Sequence, residues 1–170
     1  WALVAAALAL SGALPRYDLR PPPFAILFVG SLVVALALGL SRIGAQIAAT
    51  VPVAWLIGAQ VFRLPLELAM HWGSFTGIVP HALTFDGYNF DVLTGASALP
   101  VAWLVARGNI RLAWGWSMLG FAALTSIVIV ALLGSPFLRF FGESEVNTWV
   151  AYFPYCEVPA MLVVFAMASQ

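Results

Sequence analysis

Gln60, Arg63, Glu67 and His71 stand three, four and four residues apart in a chain that is otherwise strongly apolar. A helix turns once in about 3.6 residues, so this spacing puts all four side chains on one face. Arg63 and Glu67 lie at i and i+4 and can pair, although Arg preceding Glu is the less favourable order. Glu67 and His71 repeat the interval, which suits two ligands of one metal ion, and an Asp would be needed to extend that set. The stripe therefore offers an anchored carboxylate and imidazole for a ligand, a proton or a metal. The structural alternative is an ion pair at the membrane boundary that ties a loop to the helices, worth forming in low dielectric only if hydrogen bonds satisfy both groups.

A second constellation is Thr84-Phe85-Asp86-Gly87-Tyr88-Asn89-Phe90-Asp91. Its oxygen-bearing side chains do not match a calcium loop, because the spacing fails and the closing bidentate Glu is missing. Asp86-Gly87 is a turn signal, and Asn89 or Asp91 is placed to cap the helix that follows and to complement its dipole. The acids of this segment could face His71 and His81 across the loop. Either histidine could ligate haem or chlorophyll in a chain with 7 Trp and 12 Phe, but neither lies mid-span and there is no haem-attachment motif. Glu157 is the one carboxylate expected well inside a membrane run. An acid in that position is either functional, turned towards a partner subunit, or hydrogen-bonded to Tyr152 or to carbonyls freed by Pro154 and Pro159.

The elements that must position these residues follow from composition. The chain is 63% hydrophobic and 8% charged, with a mean hydropathy of +1.00, against about 25% charged residues in a soluble domain. Runs such as Phe24–Leu40 and Met118–Leu133 are apolar on every face, so the class is an all-α polytopic membrane bundle and not an alternating barrel. Seven basic residues, all Arg, balance seven acids, and nothing points to nucleic acid. A lone Cys156 excludes an intrachain disulfide and a cysteine metal site.

We expect one transmembrane domain over 1–170 with about six spans. The first, Trp1–Leu14, reads as incomplete at its start. The others lie near 24–40, 44–62 with a kink at Pro52, 91–106, 112–133 with Trp114 and Trp116 as interfacial anchors, and from the Asn147-Thr148 cap to the end. Pro65 should interrupt the third span. Residues 73–90 should form an ordered, aromatic surface loop.

Gln60-x-Phe62-Arg63-x-Pro65-x-Glu67-x-x-x-His71, Gly77-x-x-Pro80, Thr84-Phe85-x-Gly87-x-Asn89-x-Asp91-x-x-x-Gly95 and Asn147-Thr148-x-x-Ala151-x-Phe153-Pro154 together resemble an uncharacterised family of small bacterial multispanning membrane proteins. The resemblance covers about residues 45–160. It implies that the polar stripe and the Asn/Asp loop form one site, and it supplies no reaction. In similar sequences the position of Glu157 is apolar, and the chain extends further at its C-terminus.

The expected location is a bacterial cytoplasmic membrane, crossed several times. The function expected first is a non-enzymatic subunit or binding module of a larger membrane assembly, respiratory or photosynthetic, in contact with lipid and other membrane subunits. The second reading is a small proton-coupled or small-molecule transporter using Arg63, Glu67 and Glu157. The third is a metal-dependent membrane enzyme using Glu67, His71 and an Asp.

Overall fold

A computed structural model describes residues 1–170, and its regular elements are all helical. Eight α-helices succeed one another: α1 (Ala2–Leu10), α2 (Pro23–Gly39), α3 (Arg42–Thr50), α4 (Val53–Ala59), α5 (Arg63–Phe75), α6 (Asp91–Ala106), α7 (Ile110–Leu133) and α8 (Val163–Ala168). Pro23 occupies the first turn of α2, where its missing N–H costs nothing. Ser41 caps α3 by accepting from the Gly44 N–H at 3.1 Å.

Two prolines act oppositely to expectation. Val51 is extended ahead of Pro52, because a residue before proline is pushed out of the α region. The expected kinked helix over 44–62 is therefore two helices, with α4 starting afresh at Val53. Pro65 interrupts nothing, since it falls in the first turn of α5. Its ring would crowd the Val61 carbonyl in a regular α-helix, and a 3₁₀ turn over Gln60–Phe62 lies at that carbonyl. Val53–Phe75 thus runs as one 23-residue helical rod.

By length and composition, two helices can cross a membrane, Val53–Phe75 and the 24-residue α7; there are three if α2 and α3, bent by 56°, form one broken span. A crossing takes about 20 residues. The expected six also counted the terminal runs and α6, but α1 has 9 residues and α6 has 16. The C-terminal run is not one helix. Pro154 and Pro159 withdraw backbone donors, and the segment divides into a 3₁₀ turn (Trp149–Ala151), a π turn (Val158–Leu162) and α8. Asn147 caps no helix there.

α6 is the central element, packed against α4, α5 and α7, while α2 lies along α8. Small residues set these distances. A side chain at Gly95 would run into the Arg63 and Leu64 backbone, and Gly58 faces Ala102 of α6. α7 buries Ala113, Trp116, Gly120, Leu124 and Val130, a stripe at helical spacing. Its other faces are apolar and exposed, including Trp114, Met118 and Leu119, a distribution suited to lipid and unusual for water. Trp116, expected as an interfacial anchor, is instead a core residue that donates to Ser97 Oγ at 2.9 Å.

Candidate functional site

The 3₁₀ turn places Gln60 directly over Arg63, since residues three apart eclipse in that geometry. Arg63 Nε donates to Gln60 Oε1 at 2.8 Å, and Gln60 Nε2 donates onward to Ser169 Oγ at 2.6 Å. Close approach at Gly95 brings the start of α6 alongside, so that Arg63 Nη1 meets Asp91 Oδ1 at 2.5 Å. Both groups are almost fully enclosed, Arg63 being 1% exposed. The expected Arg63–Glu67 pair does not form. The counter-charge of Arg63 comes from the next helix, and Glu67 Oε2 instead accepts from Asn89 Nδ2 at 2.6 Å.

Asn89 joins the two halves. Its Nδ2 also donates to the Leu83 carbonyl at 3.1 Å, and its Oδ1 accepts from the Asp91 N–H at 2.9 Å, an Asx turn that leads the chain into α6. Five candidate residues, Gln60, Arg63, Glu67, Asn89 and Asp91, therefore form one buried network. His71 lies outside it.

His71 belongs to a second, surface cluster. Asp86 receives His71 Nδ1 on one carboxylate oxygen at 3.0 Å and His81 Nε2 on the other at 3.2 Å. Thr84 Oγ1 donates to Asp86 Oδ1 at 2.5 Å. That hydroxyl, with support from His81, holds the Asp86 carboxyl down at about 2. His71 also lies against Phe85, with ring centroids 4.2 Å apart. The loop is fixed further by Glu145, which accepts from the Ala82 N–H at 2.9 Å. Glu67 and His71 thus face different environments, and no group of three His, Cys, Asp or Glu side chains converges as a metal site.

A cavity of about 210 Å³ adjoins the buried network. Its lining includes the polar residues Arg63, Glu67, Asn89, Asp91, Asn147 and Trp149, and apolar side chains such as Phe24, Phe28, Leu124 and Ile127 make up most of the rest. Its lining includes Val29 of α2 and Leu132 of α7, both exposed on the outer surface, so the cavity reaches the surface of the protein at these helices. Four buried polar atoms on its lining residues have no hydrogen-bond partner: Arg63 Nη2, Asn147 Oδ1, Trp149 Nε1 and the Tyr17 hydroxyl. Burial, with Tyr152 nearby, pushes Tyr17 up to about 12, so it is a neutral phenol. His71 and His81, the two candidates for haem or chlorophyll, do not line the cavity.

No family model, curated protein or solved structure matches this chain.

Glu157 ends the turn before the π turn and not the middle of a span, and its Oε2 is buried without a donor. Neither Tyr152 nor a proline-freed carbonyl supplies the expected bond. Tyr17, Asn147 and Trp149 are cavity residues that sequence reasoning missed. Asn147 reads locally as a helix cap, and Tyr17 sits in a short polar loop. The available signal was the concentration of amide and indole groups just before a proline-rich apolar stretch.

Proposed function

We propose that this is a multi-pass protein of a bacterial cytoplasmic membrane, similar to the small multispanning family named above, that serves a larger membrane assembly as a non-enzymatic binding module. Its ligand is an amphipathic molecule dissolved in the bilayer. One observation carries this reading: an apolar cavity that reaches the outer surface at α2 and α7 and is lined by a buried arginine with an unpartnered N–H. A buried donor without an acceptor costs about 1–3 kcal/mol, and a ligand oxygen would remove that cost. An apolar pocket with a few convergent polar groups is the usual form of a small-molecule site. Arg63 is already neutralised by Asp91 at 2.5 Å, which suits holding a ligand better than moving charge. The exposed aromatics Trp55, Trp72 and Phe75 are available for lipid or for neighbouring subunits.

The test is extraction of protein purified from native membranes in mild detergent, followed by mass spectrometry. One amphipathic molecule per chain is expected in the wild type and is expected to be missing from Val128→Trp, which fills the cavity. A wild-type protein that carries no such molecule, or a variant that retains it equally, would overturn the reading.

A further inference from the structure

We infer that the ligand of this cavity has an electrically neutral, oxygen-bearing head group, a hydroxyl or ring carbonyl, on an apolar tail that leaves between α2 and α7. The inference rests on the binding role proposed above and specifies its ligand. Charge comes first. Arg63 and Asp91 cancel one another across 2.5 Å, and Glu67 is the third ionisable group in the network. The charged groups lining the cavity therefore carry no net positive charge whether Glu67 is ionised or protonated. A carboxylate or phosphate head group would enter beside Asp91 and Glu67 with no free cation to receive it, and burying an uncompensated charge is costly. An ammonium head group has donors and no acceptor, so it would leave the Arg63 Nη2 and Trp149 Nε1 donors unpartnered.

Hydrogen-bond polarity gives the same answer. The unpartnered atoms comprise two N–H donors, Arg63 Nη2 and Trp149 Nε1, one acceptor, Asn147 Oδ1, and the Tyr17 hydroxyl, which can do either. A hydroxyl both donates and accepts and can satisfy groups of both kinds, while a ring carbonyl satisfies the donors. Size supplies the tail's exit. A dry cavity of about 150 Å³ is enough to hold benzene, so a space of about 210 Å³ accommodates a ring or a short chain segment and not a whole lipid. The remainder must pass Val29 and Leu132 into the bilayer. Phe24, Phe28 and Leu124 provide an apolar wall for either a ring or a chain.

The experiment uses the full chain in nanodiscs and four probes: hexadecanol, a short-tailed prenylated benzoquinone, palmitate and hexadecylammonium. Binding is read by native mass spectrometry and by change in tryptophan fluorescence. Hexadecanol or the benzoquinone is expected to bind at least about tenfold more tightly than either charged probe, and whichever of the two binds better identifies the source. Asn147→Leu keeps the shape of a side chain whose one bond, to the Ala131 carbonyl, is 3.4 Å long. It should weaken hexadecanol about fivefold by removing one hydrogen bond, with the melting temperature unchanged. Val128→Trp should abolish binding of every probe. Tighter binding of palmitate or hexadecylammonium, still lost in Val128→Trp, would overturn the neutral head group and leave the binding role standing. Failure of all four probes, or binding indifferent to Val128→Trp, would overturn both.

Discussion

Arg63 is the residue on which the buried chemistry depends, and its partner is the sharpest difference between linear spacing and folded geometry. The i, i+4 interval made Glu67 the expected counter-charge; the structure gives that role to Asp91, 28 residues away. Asp91→Asn should therefore cost about 3–5 kcal/mol, the usual consequence of removing one member of a buried ion pair. Glu67→Gln keeps an oxygen for Asn89 and should cost about 1 kcal/mol. Thermal unfolding in detergent measures both, and equal losses would return the counter-charge to Glu67. Asp86 supports a pH prediction. Its folded value of about 2 lies below an unfolded value of about 4, so it binds protons less readily when folded. Its contribution to holding the loop is complete above about pH 4 and is lost as pH falls through about 2. Amide protection across residues 76–90, taken relative to the intrinsic exchange rate at each pH, should fall over that window in the wild type. In Asp86→Asn the protection should be reduced already at neutral pH and show little further change.

At the scale of elements, the site depends on how closely α5 and α6 approach. Gly95 allows it, since a methyl group there would strike the Leu64 amide and the Arg63 carbonyl carbon. Gly95→Ala should therefore destabilise the protein by about 1–3 kcal/mol and loosen the Arg63–Asp91 pair with it. Gly58→Ala is the control. Its added methyl would sit 3.6 Å from the Ala102 side chain, in ordinary contact, and alanine is the better helix former by up to about 1 kcal/mol. Chemical denaturation of the two variants in the same detergent should move in opposite directions. A shared loss would show that helix packing at Gly95 is no tighter than at Gly58.

For the whole molecule, the distribution of tryptophans separates surface from interior. Trp55, Trp72 and Trp114 are each more than 70% exposed, while Trp116 and Trp149 are each 7% exposed. Single-tryptophan variants reconstituted with brominated lipid should show strong quenching for residues of the first group that lie within the bilayer and little for either residue of the second. Quenching of Trp116 equal to that of Trp114 would contradict the burial of the α7 stripe against α6.

Much of this was legible in the chain itself. Apolar runs determined an all-helical protein suited to lipid, because in a bilayer a helix satisfies its backbone hydrogen bonds without partners. Local signals also placed the start of α2 within one residue of Pro23, and both ends of α6, where caps and prolines act within a few residues. Spacing alone brought Gln60, Arg63 and Glu67 to one face, and left Asn89 and Asp91 in a neighbouring loop segment read as turn and cap. What spacing could not supply was pairing across helices. Whether Arg63 meets Glu67 or Asp91, and whether His71 joins Glu67 or Asp86, depends on interhelical distances set by Gly95 and on a 3₁₀ turn that re-phases the helix at Gln60–Phe62. The number of helices able to cross a membrane likewise depended on where Pro52, Pro154 and Pro159 divide apolar runs that composition alone reads as continuous. The cavity is the most non-local feature of all. Its unpartnered polar atoms come from Tyr17, Arg63, Asn147 and Trp149, far apart in sequence, and only tertiary packing brings them around one space.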